Sequence, residues 1–98
     1  MSTSNEKAMM IDKEQIIHLK FPNEEVLENE DAILNRKSDC ERATVVGNAE
    51  KNKVKIIFED SDGLKMTETT IWGNTEKRII LKGGVVIPLN RIHEIKLF

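Results

Sequence analysis

Covalent catalysis needs a nucleophile, a base and a group that orients the base, and the side chains able to fill those roles here are Cys40, His18 and His93 with nearby carboxylates. They do not assemble on paper. Cys40 stands between Asp39 and Glu41, an anionic setting that raises a thiol pKa and starves it of thiolate. His93 precedes Glu94, but a single such pair on a turn has no nucleophile to serve. One Cys and two His cannot complete a Cys/His zinc site or an internal disulfide. No G-x-x-x-x-G-K-[ST], G-x-G-x-x-G or H-E-x-x-H run occurs, so phosphate-loop, dinucleotide and zincin chemistry lack a footing. Asp60-Ser61-Asp62-Gly63 starts like a calcium loop, yet Thr69 stands six residues after Gly63, where a bidentate Glu is required. The expectation is a protein that is not an enzyme, with no metal and no cofactor.

What remains is surface chemistry. Thr44 to Lys51 (TVVGNAEK) matches Thr70 to Lys77 (TIWGNTEK) at five of eight positions, 26 residues apart. Read as two Gly-Asn turns at the same end of a meander, the octets gather Lys51, Lys53, Lys77 and Arg78 beside Trp72. That cluster is the candidate surface for a partner or for single-stranded nucleic acid. Against nucleic acid stand the scarcity of aromatic platforms, one Trp and three Phe with no Tyr, and a net charge of -2. A protein partner or a second copy of the chain is therefore the first expectation, and nucleic acid the alternative. The Asp60–Gly63 turn, flanked by Glu59, is expected to form an acidic opposite pole.

Elements must position these residues, and 98 residues allow one domain at most. The apolar runs are far shorter than the roughly 20 residues of a membrane span, and nothing near Met1 reads as a secretion signal, so a cytoplasmic location is expected. Residues 1–39 carry a net charge of -4 and residues 40–98 a net of +2. Residues 1–10 lack a packing pattern and are expected to be disordered. Residues 11–39 form an acidic helical segment. In it Asp12 and Gln15 suit a capping box for a short helix, with a strand over 15–21 as the rival, and Asn23 suits the cap of an amphipathic helix ending near Arg36 and Lys37.

From Cys40 the period becomes two: Val54, Ile56 and Phe58 alternate with Lys53, Lys55 and Glu59, and turn residues at Asp60–Gly63 and Gly83-Gly84 separate short β-forming runs. A 3₁₀ turn within 88–93 precedes a last strand over 94–98. The reading is mainly β: a five-stranded antiparallel SH3-like (Sm-like) small barrel over 40–98 with an aliphatic centre of Val54, Ile56, Phe58, Leu81, Ile87 and Ile95. Ile57, Ile80 and Val86 fall out of phase and face outward, to be covered by Val26, Ile33 and Leu34 of the helix or by a second subunit in a homodimer.

The stretch from Arg42 to Phe98, with T-T-I-W-G at 69–73 and L-K-G-G-V-V-I-P-L-N-R-I-H-E-I at 81–95, resembles a group of short bacterial proteins with SH3-like or Sm-like barrels. That resemblance implies a fold and no activity. The ending L-x-x-G-x-x-I-x-L-x-x-I is also similar to the Rho-binding antiterminator family, small acidic partners of an RNA-binding protein. The role expected for this chain is that of a non-catalytic interaction or regulatory protein.

Overall fold

A long helix starts where a side chain can satisfy its first free amides. Asn29 Oδ1 accepts the backbone N–H groups of Asp31 at 2.7 Å and Ala32 at 3.2 Å, and Glu30 and Asp31 sit at the positive end of the dipole. In the computed structural model, which describes residues 8–50 and 52–97, this helix, α1, spans Glu30–Glu50. The cap is thus Asn29 and not Asn23. Residues 22–27 are drawn instead across Asn90 and Arg91: Asn90 Nδ2 donates to the Asn23 carbonyl at 2.8 Å, Arg91 Nη1 to the Glu24 carbonyl at 2.8 Å, and the Val26 N–H to the Asn90 carbonyl at 2.9 Å. Asn29→Ala is expected to cost about 1 kcal/mol in thermal unfolding followed by circular dichroism, whereas Asn23→Ala, which keeps the carbonyl, changes stability by less than about 0.5 kcal/mol.

The boundary expected at 39/40 falls inside α1, so residues 40–50 are helical although Thr44, Val45 and Val46 favour strands. Packing decides this. The buried residues Arg36, Cys40, Ala43, Thr44 and Gly47 recur at helical spacing and form one face. That face is built of small side chains apart from Arg36, so the helix lies close to the strands beneath it.

Seven strands follow the alternation elsewhere: β1 Met9–Met10, β2 Val54–Asp60, β3 Gly63–Thr69, β4 Ile71–Asn74, β5 Arg78–Leu81, β6 Val86–Pro88 and β7 Ile92–Lys96. One sheet has the order β1-β3-β2-β7 and the other β4-β5-β6. All pairs are antiparallel except β1 with β3. Among the described residues the ladders make two sheets that are not joined into one cylinder, so the fold is mainly β with one long helix. The chain passes from β3 to β4 at Thr70, whose carbonyl accepts the Lys82 N–H at 3.0 Å. α1 packs on β4 and β7, one edge strand of each sheet, and a 3₁₀ helix at Lys13–His18 packs on β3 and β6. The openings between the sheets are thereby covered by helices.

That first 3₁₀ helix settles the choice over residues 11–21, with the Asp12 N–H donating to Gln15 Oε1 at 3.0 Å. Met9–Met10 pair with Lys65 and Met66, so residues 8–10 depart from the expected disorder, while residues 1–7 lie outside the described residues. Positive φ at Gly63 (142°), Gly83 (89°) and Gly84 (88°) serves the two expected turns. The second 3₁₀ helix is Leu89–Arg91 and the last strand begins at Ile92 rather than Glu94; Phe98 lies outside the described residues.

The six residues expected at the centre are all buried in one cluster, joined by Ile16, Ile71, Ile79, Ile92, Cys40 and Ala43. Phe21 leans on Phe58 with ring centroids 6.0 Å apart. Of the out-of-phase residues, Ile57 is fully buried, Ile80 half-buried and Val86 43% exposed. Leu34 is 63% exposed, so it is not the cover. Among the described residues no helix is long and apolar enough to cross a membrane.

Candidate functional site

The titratable residues first suspected of chemistry are dispersed. Cys40 is buried on the inner face of α1, and burial pushes its thiol up to about 12, with Asp39 and Glu41 adding to the rise and Arg36 opposing it. His93 Nε2 lies 2.8 Å from Glu59 Oε1, and Arg91 Nη2 lies 3.7 Å from the other oxygen of that carboxylate. His18 is exposed on the first 3₁₀ helix. Among the described residues no group of three or more His, Cys, Asp or Glu is placed to hold a metal ion.

The polar residues of the P-L-N-R-I-H stretch act as fastenings. Besides its bond to Glu24, Arg91 donates from Nε to the Glu59 carbonyl at 3.0 Å. Arg36, 7% exposed, holds Glu25 through two bonds of 2.6 and 2.7 Å and reaches the Ile92 carbonyl at 3.0 Å. For Glu25 burial works to raise the carboxyl pKa, but the Arg36 bonds and the Leu27 amide outweigh it and hold it below the usual range. Two carboxylates of the expected acidic pole have basic partners: Glu59 lies 3.7 Å from Arg91, and Asp60 pairs with Lys65 at 2.9 Å.

The expected basic cluster divides. The first octet is the end of α1 and not a turn, so only the second copy supplies a strand and hairpin. The copies nevertheless touch, since Gly47 faces the Ile71 backbone and the Thr70 side chain. Lys51 lies outside the described residues. Lys77 borders a hollow of about 410 Å³ with Asn90 and the Arg36–Glu25 pair, whereas Lys53 borders a different one of about 470 Å³ with Lys13 and Lys82. Arg78 is exposed at the start of β5.

Trp72 is 51% exposed at an irregularity in the β4–β5 register, where Ile71 opposes Leu81 and Gly73 opposes Ile80. An extra residue in one strand re-aims a side chain, and here it turns the indole to solvent. Trp72 borders a hollow of about 270 Å³ with Gly47, Asn48, Thr70 and Lys82. Lys82 therefore belongs to both this hollow and that of Lys53. Lys82 and Lys13 were left out of the cluster drawn from sequence, and Asn48 entered it only as part of the octet, although period two through Arg78 and Ile80 reaches Lys82 just past the end of β5.

An apolar surface lies elsewhere. Ile17, 69% exposed, and Val86 converge with Leu19, Phe21, Val85 and Pro88 on a hollow of about 330 Å³ between the first 3₁₀ helix and β6. None of the described residues lining it carries a titratable side chain. Comparison of the chain with protein-family models, with curated proteins and with solved structures finds no match.

Proposed function

We propose that the chain is a non-catalytic interaction or regulatory protein of the cytoplasm that works by docking a protein on its surface. Its β portion is an SH3-like (Sm-like) small barrel, a reading supported by the strand order β3-β2-β7 and β4-β5-β6 and by the 3₁₀ turn before the last strand. The observation that carries the functional reading is the apolar hollow of Ile17 and Val86, because large apolar side chains grouped at a surface mark interaction sites more often than isolated ones do. A second copy of this chain is the simplest occupant, since a hollow without charges opposes no two-fold contact.

Light scattering over a concentration series is expected to show reversible dimers. The variant Ile17→Asp with Val86→Asp is expected to be monomeric, with its unfolding midpoint little changed because both side chains are exposed. A photo-reactive group at position 86 adds the case of a different protein partner: it should give a discrete adduct in cells. A wild-type protein that is monomeric throughout and gives no adduct would end this reading.

A second reading, single-stranded nucleic-acid binding, is favoured by one observation, the exposed Trp72 beside Lys82.

A further inference from the structure

Two hollows that share a wall can hold two parts of one ligand. The smaller, about 270 Å³, has an aromatic side, Trp72, a lysine, Lys82, and the Asn48 side chain, which is exposed and has no partner among the described residues. Its volume is below the usual range of roughly 300–1,000 Å³ for sites that enclose drug-sized ligands, so it suits one ring system. The larger, about 470 Å³, is also lined by Lys82, together with Lys13 and Lys53. Three carboxylates line it as well: Glu14 is paired with Lys13 at 2.6 Å, which holds the Glu14 carboxyl below its usual range, while Asp12 and Glu68 are exposed. Lys53 and Lys82 carry no ion pair among the described residues.

An aromatic face beside a short run of unpaired ammonium groups is the arrangement that receives a base and the phosphates that follow it. We propose that Trp72, Lys82 and Lys53 bind single-stranded nucleic acid. One base stacks on Trp72 with its edge toward Asn48, and the adjoining phosphates lie along Lys82 and Lys53. This rests on the nucleic-acid reading above and deepens it. It also moves the site away from Lys77 and Arg78: Lys77 borders the separate hollow at Asn90. An acidic protein segment has less support here, because Trp72 is the one large apolar side chain among the described residues lining the smaller hollow.

Trp72 is the only Trp of the chain, so intrinsic fluorescence reads this site directly. The full-length protein is titrated with a uridine decamer, uridine monophosphate, inorganic phosphate and poly-glutamate at 50 mM salt. Quenching by the decamer in the micromolar range is expected, with little from the other three. The logarithm of affinity should fall with the logarithm of salt at a slope of about -0.7 per phosphate contacted, and Lys82→Ala should reduce that slope by about 0.7. By anisotropy of a labelled decamer, Trp72→Ala should weaken binding about tenfold or more. Both side chains are exposed, so these variants should keep the native circular dichroism. Binding that survives Lys53→Ala and Lys82→Ala but is lost in Lys77→Ala with Arg78→Ala would overturn this site while leaving nucleic-acid binding standing. No binding by any variant would overturn both. Equal quenching by uridine monophosphate would assign the site to a free nucleotide, and equal quenching by poly-glutamate to an acidic protein, and either result overturns the proposal.

Discussion

Asp60→Ala is expected to lower the unfolding free energy by about 3–5 kcal/mol, the range found when one member of a buried ion pair is removed. Asp60 is 2% exposed and its Oδ1 accepts three hydrogen bonds, from the Asp62 amide at 3.1 Å, the Gly63 amide at 3.0 Å and Lys65 Nζ at 2.9 Å. Truncation strands the Lys65 ammonium, whose side chain is only 12% exposed, and releases both amides of the turn that sets the β2–β3 register. Asp60→Asn keeps an acceptor for the amides and loses the charge, so it should cost less. Pairing Asp60→Ala with Lys65→Met should recover part of the loss, since no buried charge is then left alone. Urea unfolding followed by far-ultraviolet circular dichroism measures all three.

The same carboxylate predicts an acid limit. Burial alone would raise the Asp60 pKa, but the Lys65 bond and the Asp62 and Gly63 amides outweigh it, and the folded-state value lies below the ordinary one. The unfolded chain then binds a proton at a higher pH than the folded chain. Stability from this group is complete above about pH 4 and is lost as the pH falls through the lowered folded value. Glu25, held low by Arg36, acts in the same direction. Between about pH 4 and pH 2 the wild type should lose stability faster than Asp60→Asn. Parallel profiles would show that Asp60 is not the linked group.

These turns were legible because their causes are local. Asp60 and Gly63 are three residues apart, Gly83 and Gly84 adjacent, and period two in Val54, Ile56 and Phe58 needs no knowledge of the rest of the chain. The helix start was less so. Asn23 precedes two Glu and Asn29 precedes Glu30 and Asp31, so the two sites are chemically alike as caps. The choice falls to Asn90 and Arg91, some 67 residues away, which hold the Asn23 and Glu24 carbonyls. The neighbourhood of Lys53 and Lys82 is likewise tertiary: Val54 pairs with Thr69, and the Thr70 carbonyl accepts the Lys82 amide, so strand register and not sequence brings the two lysines to one hollow. The repeated octet misled for a related reason. Five identical residues specify neither helix nor turn when one copy is pressed against β4 and the other is part of it.

That difference between the copies sets the second large effect. Gly47→Ala places a Cβ 2.4 Å from the Ile71 carbonyl oxygen and 3.1 Å from Thr70 Cγ2, and backbone cannot swing aside as a long side chain can. A Gly-to-Ala change in a helix interior favours the helix by about 1 kcal/mol, while overpacking costs about 1–3 kcal/mol. Obstruction by backbone puts the cost at the upper end, so a net loss of about 1–2 kcal/mol is expected, and a larger one for Gly47→Val. Gly73→Ala meets only Ile80 Cδ1 at 3.8 Å, an ordinary contact, and should change stability by less than about 0.5 kcal/mol. Denaturant unfolding gives the two losses, and Cys40 reports their origin. Its thiol is 1% exposed on the face of α1 that Gly47 presents to β4, so a helix pushed off the strands opens it to a maleimide. Labelling of Cys40 should be faster in Gly47→Ala and unchanged in Gly73→Ala. Equal rates in both would mean that α1 does not depend on close approach at Gly47.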